Sequence, residues 1–112
     1  MEIRENDTIC IFAPLNNKLG IRETKKLIDK LQKESRNIAL DLTNVTDCTI
    51  DFFENIKNLA LQKKIGIFNI NSDIFALFLT MNLDKSLKLF VNEIDFQENS
   101  RQLLKREFSL VY

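Results

Sequence analysis

Three aspartates, Asp41, Asp47 and Asp51, fall within one stretch, NIALDLTNVTDCTIDFFENI from Asn37 to Ile56, with the hydroxyls of Thr43, Thr46 and Thr49 among them. Acidic oxygens at this density are the raw material of a divalent-cation site. Acids and hydroxyls in loops also serve as turn and cap residues, the commoner use, so no metal site is assigned. The remaining reactive residues are few. Cys10 and Cys48 lack the close spacing of a metal or redox motif, and the chain has no histidine, which closes off the usual triads and zinc sites. Cys10, in an apolar alternation, reads as a small buried hydrophobe. Gly20 and Gly66 are the only glycines, and neither stands in a phosphate-cradling loop. The expectation is a protein without catalytic residues, cofactor or metal.

Composition narrows the partners. At 112 residues and 13.1 kDa the chain suits one domain, 1–112, and is too short for two. Sixteen basic and sixteen acidic residues cancel, which removes the long-range attraction behind binding to phosphate backbones and acidic membranes. This argues against nucleic acid. The opening MEIREND carries charges where a signal peptide needs its apolar core, and no apolar run is long enough to span a bilayer. A cytoplasmic protein with no membrane insertion is expected.

The elements that must position the acidic stretch follow from periodicity. Ile3-Arg4 and Thr8–Ala13 read as two strands joined by turn chemistry at Asn6-Asp7. After Pro14 and a polar loop to Gly20, Ile21, Leu27, Ile28 and Leu31 recur at helical spacing and predict a helix from Ile21 to about Ser35. Ile38–Leu42 predicts a buried strand, Thr43–Ile50 a loop, and Phe52, Phe53, Ile56, Leu59 and Ala60 the apolar face of a second helix over Asp51–Gln62. Asp51 followed by Glu54 reads as a capping box at its start, with Lys63-Lys64 favourably charged at its end.

Ile65–Ile70 predicts a strand in which Gly66 lets something pack closely over it. Asn71-Ser72-Asp73 offers caps for a third helix, whose Ile74, Phe75, Leu77, Phe78, Leu79 and Met81 cover more of the wheel than one sheet face needs. Two readings stand for that surplus: burial between neighbours, or contact with a partner or a second copy as a homodimer. A strand over Leu87–Val91, a helix from Asp95 to about Glu107 and an apolar tail, Phe108–Tyr112, complete the order. Alternation of this kind predicts an α/β fold: a mixed, mostly parallel sheet of four to five strands with about four helices packed on it.

With its elements placed, the chain resembles a STAS domain, the family named for sulphate transporters and anti-sigma factor antagonists. That family typically has a strand ending in Asp-Leu-Ser, a Val two positions on, then Asp-Ser-Ser-Gly-Leu opening a helix. Here Asp41-Leu42-Thr43 and Val45 match the first half, while Thr49, Ile50, Asp51, Phe52 and Phe53 stand where Asp-Ser-Ser-Gly-Leu would fall. Leu83-Asp84-Lys85, followed by Leu87, Leu89 and Phe90, is similar to the family's approach to its last strand.

The resemblance implies a non-catalytic regulator that binds a protein, either an anti-sigma factor with a kinase-like fold or, in the alternative, the ATPase of a lipid-transporting ABC system. In anti-sigma antagonists of the family the second serine of the motif is phosphorylated to release the partner. Asp51 occupies that position, so the usual switch is absent and a permanent charge stands in its place. The surface expected to meet the partner comprises Thr46, Asp47, Thr49, Asp51, Phe52 and Asn55, with Phe75 and Phe78 of the third helix.

Overall fold

A computed structural model of the chain describes residues 1–98. At the first turn Asn6 Oδ1 accepts the backbone N–H groups of Thr8 (2.8 Å) and Ile9 (2.9 Å), folding β1 (Glu2–Glu5) back antiparallel on β2 (Ile9–Ala13). The chain continues through β3 (Lys18–Leu19), α1 (Ile21–Lys33), β4 (Asn37–Asp41), β5 (Asp47–Cys48) and α2 (Ile50–Ala60). Then come β6 (Ile65–Phe68), α3 (Ser72–Thr80), a single 3-10 turn at Leu83–Lys85, β7 (Lys88–Leu89) and α4 (Glu93–Glu98).

Five strands form the main sheet in the order β1-β2-β4-β6-β7, and every pair after the first is parallel. This is the mixed, mostly parallel α/β sheet that the alternation predicts. The strand expected over Ile65–Ile70 stops at Phe68 because Asn69 turns into the left-handed region (φ 56), where an extended ladder cannot continue. The remainder of the expected last helix and the tail Phe108–Tyr112 lie outside the described residues.

Side-chain alternation divides the core. Cys10, Phe12, Ile38, Leu40, Ile65, Ile67 and Leu89 point to one face, where they meet the apolar stripes of α1, α2 and α3. Ile11, Ala39, Phe68 and Phe90 point to the other, against Ile9 and Phe96. Gly66 is the close approach expected of it: a Cβ there would lie 2.6 Å from the Phe96 ring of α4.

Two connections differ from expectation. Lys63 does not complete its own helix, which closes at Leu61; its ammonium reaches α1 and donates to the carbonyls of Leu31 (3.0 Å), Gln32 (2.6 Å) and Glu34 (2.6 Å). Those carbonyls lie at the C-terminal end of α1 and are the partners a cation suits best. The segments before α1 and α2, expected as loops, pair as a short parallel ladder with Lys18 opposite Asp47 and Leu19 opposite Cys48. That ladder positions the site.

Candidate functional site

Backbone bonds fix the geometry first. Asp47 N–H donates to Asn17 O (3.2 Å) and Thr49 N–H to Leu19 O (3.1 Å), so α1 and α2 begin side by side and run off in the same sense. Ile21 and Ile50 are the first residues of the two helices, beside one another by register. The ladder also holds Thr49 extended (φ −76, ψ 160), which makes Thr49 the residue before the helix and moves the start one position ahead of the expected Asp51.

The Asp51-Glu54 capping box is therefore not formed. Asp51 occupies the second helical position, in the first turn, where its carboxylate complements the positive end of the helix without a capping bond. Asn55, one turn on, donates from Nδ2 to the Asp51 carbonyl (2.7 Å), leaving its Oδ1 as an acceptor.

Between the helices runs a groove of about 380 Å³ lined by Ile21, Lys25, Ile28 and Asp29 of α1 and by Asp51 and Asn55 of α2, among others. Thr46 and Asp47 are exposed on the loop leading into it. Thr46 Oγ1 donates to Asn17 O (3.2 Å), half-buried Thr49 donates to Leu19 O (3.4 Å), and Asp47 stands 4.0 Å from the Lys18 ammonium. Thr46, Asp47, Thr49, Asp51 and Asn55 are thus gathered around the head of α2, as the sequence implies.

Phe52, Phe75 and Phe78 are not part of that surface. All three are buried, Phe52 and Phe78 completely. Phe53 stacks edge-on against both Phe52 (5.4 Å between ring centres) and Phe78 (5.3 Å), and the cluster locks α2 to α3. Removing a phenylalanine from water is worth roughly 1.5–3 kcal/mol, and that gain is already taken up by the core. The apolar surplus of α3 has the same fate: Leu77, 42% exposed, is its only exposed large apolar side chain.

Asp41, the first acid of the stretch, serves another purpose. Its carboxylate is buried at the end of β4 and accepts from Thr43 N–H (3.0 Å) and Oγ1, Asn69 Nδ2 (3.1 Å) and Arg4 Nη2 (3.0 Å). Arg4 in turn reaches Glu93 of α4 (2.6 Å) and Glu2 (2.7 Å). Burial opposes ionisation of Asp41, but the bonds from Thr43, Asn69 and Arg4 outweigh it and hold the carboxyl below the usual carboxylate range. This network ties β1, β4, the turn after β6 and α4 together. It withdraws Asp41 from the acidic trio, and among the described residues no group of three or more cysteines and carboxylates is placed to hold a metal ion.

Both cysteines are buried free thiols. Burial, followed by the charge of Asp47, pushes the Cys48 thiol up to about 12, so it stays protonated and is no nucleophile.

Sequence reasoning missed the apolar part of the site. Ile21, expected on the buried stripe of α1, is 69% exposed, and Ile50 is 63% exposed. The helical wheel carries the signal: at about 100° per residue, Ile50 lies more than 100° from the centre of the stripe formed by Phe52, Phe53, Ile56 and Leu59, and Ile21 sits at the rim of its own.

No protein-family model and no curated protein matches the sequence. A solved structure does: that of a Thermotoga maritima protein, proposed as an anti-sigma factor antagonist, is similar with a TM-score of 0.75 over 90% of this chain and 94% of the other, at 20% sequence identity. Likeness at that identity speaks for the fold and leaves function to the site itself. The chain has the α/β fold that its sequence resemblance implies, the STAS fold, with Asp51 in the first turn of the helix whose head that resemblance singles out.

Proposed function

We propose that this protein is a non-catalytic, cytoplasmic regulator of the anti-sigma factor antagonist type, which docks on a protein partner through the loop from Thr46 and the adjoining heads of α1 and α2. One observation carries the reading. Ile21 and Ile50, two large apolar side chains left in water at neighbouring helix starts, flank the position where the resemblance puts the regulated serine. Isolated exposed isoleucines need no explanation, but a pair in register beside a groove of about 380 Å³ is the makeup of a docking surface.

Asp51 sets the mode of regulation. A carboxylate does not form the stable phosphoester that switches the serine of related antagonists, and its single charge imitates phosphoserine only in part. Recognition at this position is constitutive, with Asp47 and Asp51 orienting the partner and the isoleucines supplying affinity. The partner is a protein with the kinase-like fold of an anti-sigma factor. The alternative, binding to a transporter ATPase, would call on the wide apolar face of α3, and with Ile74, Phe75 and Phe78 in the core no observation favours it.

Affinity capture from the source cells tests this reading. The wild-type chain is expected to retain a discrete protein that Ile50→Asp loses, since burying an unpaired charge at an interface centre costs on the order of 2 kcal/mol or more. Recovery of the same proteins in the same amounts by both would contradict it.

A further inference from the structure

The groove between α1 and α2 has a definite chemistry. Asp29 on one wall and Asp51 on the other make no ion pair among the described residues, although both line the same space. Asn55 adds its Oδ1, which accepts no hydrogen bond among the described residues. The floor is apolar at Ile28, and the mouth is apolar at Ile21 with Ile50 beside it. Lys25 also lines the groove, and its ammonium pairs with neither carboxylate.

An anionic occupant is poorly served here despite the two helix starts. Glu23 already takes the Gly20 N–H at the head of α1 (3.1 Å), and Asp51 stands over the head of α2. Acceptors outnumber donors even with Lys25 and the Gln32 amide counted, and they line the same groove as exposed Ile21.

We propose, building on the docking function above, that the groove receives a basic-apolar segment of the partner. An aliphatic or aromatic side chain covers Ile21 and Ile50, and a neighbouring cationic side chain enters between the walls bearing Asp29 and Asp51. Arginine suits the position better than lysine, because its planar donors serve carboxylates and an amide oxygen together and it is less strongly hydrated. Lys25 is a competitor of the incoming cation. Its removal strengthens binding, a sign that a merely structural role for these residues does not produce.

The test uses the isotope-labelled full chain and three synthetic peptides, acetyl-Phe-Ala-Ala-Arg-amide and the same sequence ending in citrulline or glutamate, followed by NMR titration. The arginine peptide is expected to shift the amides of Ile21, Lys25, Asp29, Asp51 and Asn55, with affinity about fivefold or more above the citrulline peptide and falling with salt. Asp29→Asn and Asp51→Asn should each weaken it about two- to fivefold, and Lys25→Ala should tighten it about twofold. Spectra of the variants report their folding directly. Equal binding of the citrulline peptide, preference for the glutamate peptide, or no shifts around the groove would each overturn the proposal. The docking function stands or falls separately, on whether Ile50→Asp releases the captured partner.

Discussion

Asp41 and Asp51 belong to the same acidic stretch, at the two ends of one strand-to-helix connection, yet they stand in opposite settings. Asp41 is enclosed at the end of β4 and bonded to Thr43, Asn69 and Arg4. Asp51 is half-buried on the first turn of α2, lines a groove and makes no ion pair among the described residues. The difference comes from what the topology brings within reach. A strand end at the middle of the sheet is flanked by β2 and β6 and by the antiparallel β1 beyond, whereas the head of α2 packs its apolar side against α3 and turns Asp51 toward the groove it shares with α1. A carboxylate in the first setting holds the fold together; in the second it is the charge that the proposed docking presents to a partner.

Substitution should separate the two roles. Asp41→Ala removes the acceptor shared by Thr43, Asn69 and Arg4, leaving Thr43 N–H without that partner while Asn69 keeps Thr43 Oγ1 and Arg4 keeps Glu93, and is expected to cost roughly 2–4 kcal/mol in urea unfolding while leaving partner affinity of the folded fraction unchanged. Gly66→Ala forces a Cβ to within 2.6 Å of Phe96 and presses α4, which carries Glu93, away from Arg4. The expected loss is about 1–3 kcal/mol, read from the same unfolding midpoint. If Gly66→Ala and Asp41→Ala are both harmless, the network is not a determinant of stability and the contrast fails.

Acid sharpens the comparison further. The folded-state pKa of Asp41 lies below its unfolded value, so its contribution is fully present above the ordinary aspartate pKa of about 3.9 and is lost as pH falls through the folded value. The stability gap between wild type and Asp41→Asn should therefore be widest near neutrality and close as pH falls through the lowered folded-state value. Glu34 behaves alike for a separate reason: its bond to the Arg36 side chain, then that to the Arg36 N–H, holds it at about 2, so both proteins keep an acid-labile contribution from that pair. A gap that widens on acidification would reverse the assignment. The smallest effect belongs to the surface: Ile50→Ser and Asp51→Asn should each change stability by no more than about 0.5 kcal/mol.

Much of this was legible in the chain, for reasons that also mark where legibility ends. The strand over Ile38–Leu42, the helix beginning near Asp51, the cap at Asn71 and the close packing over Gly66 all come from local patterns, and each is found within a residue or so; Asn71 Oδ1 accepts the Ile74 N–H at 2.8 Å. Partners distant in sequence leave no such trace. The ladder of Lys18–Leu19 with Asp47–Cys48 is too short to show a period, so the pairing of the two helix heads, and with it the groove, could not be read. Phe52, Phe75 and Phe78 misled because an aromatic side chain suits a core and an interface equally, and only the packing of α2 on α3 decides between them.

In the proposed docking, the head of α2 meets a partner through a permanent charge and not a switchable one. The most direct measurement is the calorimetric affinity of the captured partner for the wild-type chain and for Asp51→Lys, both shown to be folded. Reversal of the charge should weaken binding by about tenfold or more with little change in unfolding midpoint. Equal affinity for the two proteins would contradict the account.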